Sequence, residues 1–155
     1  AGEVPGLAAS GMSAVVDLRE EACDDAALLA RHGLAFLHLP TPDHAAVSLS
    51  DLAAGVAFAR EHGSRGRVLV HCQHGIGRSA TLGLCILVAE GFAPLDALDH
   101  AKTARERVSP SPAQYHAFVA WLDAFRAQTS VSWTIPHFDA FAAIAYRHLR
   151  AAERC

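Results

Sequence analysis

Ser13-Ala14-Val15-Val16-Asp17-Leu18-Arg19 reads as a strand in its pattern of apolar and polar positions. Glu20 to Arg31 fits a short helix ended by Gly33, and Leu34 to Leu39 is a second strand closed by a Pro40-Thr41-Pro42-Asp43 loop. Ser48 to His62 is helical, with Ser48 or Ser50 as its cap, Leu52, Val56 and Ala59 as its stripe and Gly63 as its stop. Arg67 to His71 is a third apolar strand. It runs into a tight loop with Gly75 and Gly77, then into an apolar helix that opens near Arg78 and stops at Gly91. Pro94 to Arg107 shows Leu95, Leu98, Ala101 and Ala104 on one helical face. After the Ser109-Pro110-Ser111-Pro112 turn, Ala113 to Ala127 points Tyr115, Phe118, Val119, Leu122 and Phe125 toward a core. Residues 1–12 form an irregular or weakly helical lead-in. Ser130 begins a linker to an amphipathic helix showing Phe138, Phe141, Ala145 and Leu149. Strands alternating with helices predict an α/β fold, a single mostly parallel sheet covered on both faces.

Chemistry concentrates where the third strand ends. Cys72 leaves that strand, Arg78 follows six residues later, and glycines lie between them. A sharp turn lets backbone N–H groups point inward, and a helix start adds unsatisfied donors and a positive dipole end. Such a cradle holds an oxyanion and lowers a thiol below its ordinary value of about 8.5. A guanidinium can grip two phosphate oxygens at once, which a lysine cannot.

His71, Cys72, Gly75, Arg78 and Ser79 together resemble the H-C-x5-R-[ST] signature of the cysteine-dependent phosphatases, in the form used by the dual-specificity branch of the protein tyrosine phosphatase superfamily. The resemblance runs from about Val4-Pro5-Gly6 through Trp121 and takes in Val15–Arg19 and Val108-Ser109-Pro110-Ser111-Pro112. It implies a dual-specificity phosphatase-like catalytic domain over residues 1–129. Residues 130–155 add the linker and an extra C-terminal helix, packed on the same domain or serving a partner or dimer contact. It also implies that Cys72 attacks phosphorus to give a phosphocysteine, while Gln73, His74, Gly75, Ile76, Gly77 and Arg78 hold the phosphate. Ser79 would assist the departing thiolate, or serve only as a first-turn helix serine. His71 would orient the loop.

A leaving oxygen needs a proton from a separate loop. Asp43 lies 29 residues before Cys72, in the region where the resembling family carries its general acid. An ordinary turn aspartate is the alternative. Asp51 is explained by its place in a helix first turn. The flanking Thr-Pro-Asp-His differs from the Trp-Pro-Asp of classical tyrosine phosphatases.

Composition narrows the partners. With 52% hydrophobic and 19% charged residues the chain is globular, and a net charge of −3 gives no basic field for nucleic acid or an anionic membrane. The longest apolar run, near Leu84, is too short to cross a bilayer, and no secretory leader is visible. Cys23, Cys72, Cys85 and Cys155 match neither a zinc knuckle nor a compact disulfide framework, so a reducing, cytoplasmic setting is expected. A regulatory disulfide at Cys72 is the alternative. No metal or cofactor is expected, because His71, Cys72 and His74 have no carboxylate at matching spacing. The resemblance implies a phosphorylated protein as substrate, with a shallow cleft that accepts phosphotyrosine and also phosphoserine or phosphothreonine. The loop has no lysine of the kind that the lipid-phosphatase branch uses. A phosphoinositide, an RNA 5′-triphosphate and a phosphate-capturing pseudophosphatase stand as alternatives.

Overall fold

A computed structural model of the chain describes residues 3–152; Cys155 lies outside them. In chain order the elements are α1 (Val4–Ala9), β1 (Met12–Arg19), α2 (Ala26–Arg31), β2 (Ala35–Thr41), α3 (Leu49–Gly63), β3 (Arg67–His71), α4 (Arg78–Ala89), α5 (Pro94–Ala104), α6 (Pro112–Gln128), α7 (Phe138–Ala145) and α8 (Arg147–Ala152). The strands form a parallel sheet in the order β2-β1-β3. The central β1 buries five consecutive residues, Ala14 to Leu18, as expected of a strand with neighbours on both edges and cover on both faces. One face carries the main core, built from Val16 and Leu18 with Leu52, Leu82, Leu98, Phe118, Leu122 and Phe141. The other carries Val15, Leu29 and Leu34, covered by Val4 and Leu7 of α1.

Caps place the helices. Ser48 Oγ accepts from Asp51 N at 3.1 Å to open α3, and Ser111 and Gln114 form a capping box at α6. All three strands end on one side, so Arg19, Thr41 and His71 surround the head of α4. That is the usual place for ligand chemistry in a parallel sheet.

Three expectations shift. The helix expected over Glu20–Arg31 starts only at Ala26, capped by Asp25, whose Oδ1 accepts from Leu28 N at 2.9 Å. Residues 20–24 stay irregular because Glu21 and Asp24 are drawn into ion pairs at the strand ends. The second strand continues through Pro40 to Thr41, which an edge strand tolerates with its proline outward. The C-terminal helix is two helices broken at Tyr146, so Leu149 is 55% exposed while Phe141 and Ala145 are fully buried. Tyr115 Oη donates to Pro136 O at 2.7 Å, and Tyr146 Oη donates to Pro110 O at 2.6 Å, which fastens this segment beside the start of α6. No helix among the described residues is long and apolar enough to cross a membrane.

Candidate active site

The loop from Cys72 to Gly77 is held from outside by its carbonyls. His74 O accepts from Arg105 Nη2 at 2.6 Å, Ile76 O from Ser109 N at 3.0 Å, and Gly77 O from Thr81 N at 2.8 Å. With these carbonyls engaged, loop N–H groups are free for the Cys72 sulfur, and Gly75 supplies the left-handed turn at φ 64°. Gly75 N donates to Cys72 Sγ at 3.3 Å, and Ser79 Oγ lies 3.2 Å from the same sulfur. Burial raises the Cys72 thiol. Hydrogen bonds from the Ser79 hydroxyl and from the N–H groups of Ser79, Gly75 and His74 outweigh it, and the net shift is downward.

Arg78, the first residue of α4, is 1% exposed. Its Nη1 donates to Glu21 Oε2 and to Thr41 O, each at 2.8 Å; Nη2 donates to Glu21 Oε1 at 2.8 Å and lies 3.3 Å from Asp43 Oδ1. Glu21 raises the guanidinium further above its ordinary value, and Arg78 in turn pushes Glu21 down to about 2. Arg78 Nε is buried without a hydrogen-bond partner. A buried, unmatched N–H of a cation costs free energy unless an acceptor arrives, so Nε is a donor suited to an arriving acceptor.

The pocket has a volume of about 90 Å³. Cys72, His74, Ile76, Gly77 and Arg78 line it from the loop, Asp43 and His44 from the β2–α3 connection, and Ser109, Ser111 and Gln114 from the turn before α6. Asp43 is half-exposed and accepts from His44 N at 3.0 Å. Gln73 is exposed and takes no part in the lining.

His71 directs Nε2 to Asp24 Oδ2 at 2.7 Å, not to the loop. Arg19 bonds both Asp17 and Asp24, so the Asp17, Asp24 and His71 trio already has a cation among its carboxylates. The structure thus brings Cys72, Arg78, Asp43 and His74 around one pocket, sets Ser79 against the Cys72 sulfur, and pairs His71 with Asp24. Sequence reading missed Glu21, Asp24, Arg105 and Gln114. The available signal was their position: Glu21 and Asp24 follow β1, whose end lies beside the cysteine-bearing strand.

Residues 2–92 match the family model described as "Polymorphic toxin system, DSP-PTPase phosphatase". Phosphatidylglycerophosphate phosphatase PTPMT2 of Arabidopsis thaliana is 32% identical over 117 residues, which are 72% of this chain and 51% of that protein. Dual specificity protein phosphatase 2 of Mus musculus is 34% identical over 115 residues, 70% of this chain and 34% of the relative. The chain therefore spans about half the length of the first and a third of the second. Among solved structures, the active form of Tk-PTP superposes with a TM-score of 0.70 at 26% identity, covering 79% of this chain and 85% of that one. PTPMT1 in complex with PI(5)P gives a TM-score of 0.77 at 23% identity, covering 83% and 88%, a likeness of fold.

Proposed function

The chain belongs to the DSP-PTPase phosphatase family, within the dual-specificity and protein tyrosine phosphatase superfamily, and from that premise we propose that it hydrolyses phosphate monoesters through a phosphocysteine at Cys72. The observation that carries this reading is the pairing of a sulfur bonded by the loop's N–H groups with Arg78, whose buried Nε has no partner.

In the first step the Cys72 thiolate attacks phosphorus, and an S–P bond forms as the bond to the leaving oxygen breaks. Asp43 gives its proton to that oxygen. In the second step water attacks phosphorus, the Asp43 carboxylate takes the water's proton, and the thiolate departs into the hydrogen bond of Ser79. Arg78 and the N–H groups of residues 73–78 hold the equatorial oxygens, where charge builds in each transition state. His71, paired with Asp24, braces the strand end behind the sulfur. The unit assigned to this work is residues 1–129, with residues 130–152 packed on it through Phe141 and Ala145. A nucleophile that works only when reduced suits the cytoplasm.

The preferred substrates are phosphorylated proteins, at phosphotyrosine and also at phosphoserine or phosphothreonine. The small pocket and a loop free of lysine support this, as does the likeness to dual specificity protein phosphatase 2. A lipid phosphomonoester is the second reading, favoured by the likeness to a phosphatidylglycerophosphate phosphatase. A panel of phosphopeptides, phosphatidylglycerophosphate and phosphoinositides ranks the two by kcat/KM. Cys72→Ser is expected to abolish turnover on every member while retaining phosphate binding. Asp43→Asn is expected to slow poor leaving groups by roughly 10²-fold or more and to remove the alkaline limb of the pH–rate profile. Wild-type protein that binds phosphopeptide yet turns over nothing on the panel would instead be a phosphate-capturing module.

A further inference from the structure

Gln114 has one duty that its place in the chain explains. Its N donates to Ser111 Oγ at 3.2 Å, and its Oε1 accepts from Ser111 N at 2.8 Å, which completes the capping box. A capping box uses only that oxygen, and glutamate serves there as well as glutamine.

The nitrogen end of the amide does something else. Nε2 donates to Ala45 O at 3.3 Å, two residues past Asp43, and the side chain is 3% exposed at the pocket wall. The amide as a whole lies over the phosphate loop, where a Cβ on Gly77 would stand 2.4 Å from Oε1 and 2.7 Å from Nε2. Gly77 has φ −121°, which any residue adopts, so glycine is needed there for room. One buried amide therefore joins three segments distant in the chain. Ser111 Oγ donates weakly to His44 O at 3.5 Å, a second strap on the same loop. The strapped loop is strained: His44 holds φ 61°, yet its side chain is 90% exposed and fills no core. A non-glycine residue keeps that conformation only where its surroundings impose it.

We propose that Gln114 is a positioning residue whose amide latches the Asp43 loop onto the phosphate loop and so fixes the acid relative to the leaving oxygen. Gln114 acts through Asp43 and touches no reacting atom in that role. The inference rests on the assignment of Asp43 as general acid.

Gln114→Glu isolates the latch, because it keeps the cap's acceptor and removes only the donor to Ala45 O. The measurement is kcat and KM on p-nitrophenyl phosphate, a good leaving group, and on phenyl phosphate, a poor one. The expected result is an unchanged melting temperature, kcat on phenyl phosphate lower by roughly tenfold, and kcat on p-nitrophenyl phosphate within about twofold of wild type. The alkaline limb of the phenyl phosphate profile weakens in parallel. A rise in KM shared by both substrates, with the ratio of the two kcat values unchanged, would mean that the new carboxylate merely repels phosphate; it overturns the latch. Gly77→Ala pushes the amide away from the other side, and adding Gln114→Ala restores the room. Phosphate affinity lost in the first variant and regained in the double supports the packing of the amide on the loop; strictly additive losses count against it. If Asp43→Asn changes the kcat ratio and Gln114→Glu does not, the latch fails alone. If Asp43→Asn leaves the ratio unchanged, the acid assignment fails and the latch with it.

Discussion

Cys72 and Cys85 are both buried, thirteen residues apart, and open to opposite fates. Cys72 sits where a strand gives way to a loop, so backbone N–H groups not spent on a ladder or helix can turn to its sulfur. Cys85 sits in the interior of α4, past the first turn, where backbone N–H groups are spent on the helix, and its side chain enters the main core. Burial pushes its thiol well above the ordinary value, with nothing comparable to offset it. Burial acts on both sulfurs, and the Ser79 hydroxyl together with the free backbone donors decides which of them ionises.

Alkylation breaks or sharpens that contrast most directly. With iodoacetamide near pH 7, Cys72 is expected to react first among the buried cysteines, with complete loss of turnover and protection by phosphate. Cys85 is expected to stay unmodified in the folded protein, and peptide mass spectrometry separates both from the exposed Cys23. Comparable labelling of Cys85 would end the comparison. The pH dependence of stability has opposite signs at the two sites. Cys72, lowered from 9.0, has released its proton in the folded chain while the unfolded chain still holds it, so its contribution grows as pH rises toward 9.0. That contribution is lost as pH falls through the folded value. Cys85, raised above 9.0, keeps its proton after the unfolded chain has released it, so stability declines as pH climbs past 9.0.

Ser79→Ala tests which donor matters most at Cys72, since that hydroxyl is the largest of the influences lowering the thiol. Removing one preorganised donor is expected to cost up to about 10² in turnover, concentrated in breakdown of the phosphocysteine. The pH profile of Cys72 alkylation should move alkaline in the same variant. A turnover loss without that movement would assign Ser79 to the head of the helix alone.

A smaller effect follows at the cation facing the sulfur. Glu21→Gln keeps the shape of the clamp on Arg78 and removes its charge, so kcat/KM is expected to fall by roughly tenfold, the scale of one charge-assisted hydrogen bond. Glu21 is held near 2 in the folded chain against an ordinary 4.5. Its contribution is therefore present above pH 4.5 and lost as pH falls toward 2. The stability gap between wild type and Glu21→Gln, measured by urea titration, should close across that interval.

The same contrast explains what could be read without coordinates. Cys72, Gly75 and Arg78 were legible because a left-handed turn, a thiol bonded by loop N–H groups and a buried fork each restrict the residue type and lie within seven consecutive positions. The cap was legible as Ser48 or Ser50 for the same local reason, and the helix end to within a residue, since α3 runs through Gly63 to a cap at Ser64. Glu21 was not, because its partner lies 57 residues away and the tract after Arg19 carries a fair helical pattern. Tertiary ion pairs held Glu21 and Asp24 out of that helix. Gln114 was hidden differently. Its capping role is visible locally, but the contact with Ala45 O spans 69 residues. The break at Tyr146 escaped because Phe138, Phe141, Ala145 and Leu149 are spaced as one stripe, and the hydroxyl's bond to Pro110 O fixes Tyr146 in a way that spacing does not encode.

Cys85→Ser carries the smallest effect on chemistry and is the strictest control. It places a hydroxyl among apolar side chains that offer it no new partner beyond the helix backbone. The expected cost is about 1–3 kcal/mol of stability, or roughly 2–10 °C in Tm for a chain of this size. Turnover per folded molecule should stay within about twofold of wild type, because Cys85 supplies nothing to the pocket. The decline in stability above pH 9.0 should weaken in the variant, since serine does not ionise there. A Cys85→Ser protein with wild-type Tm but depressed kcat would show that the helix interior carries function after all, and would erase the line drawn between the two sulfurs.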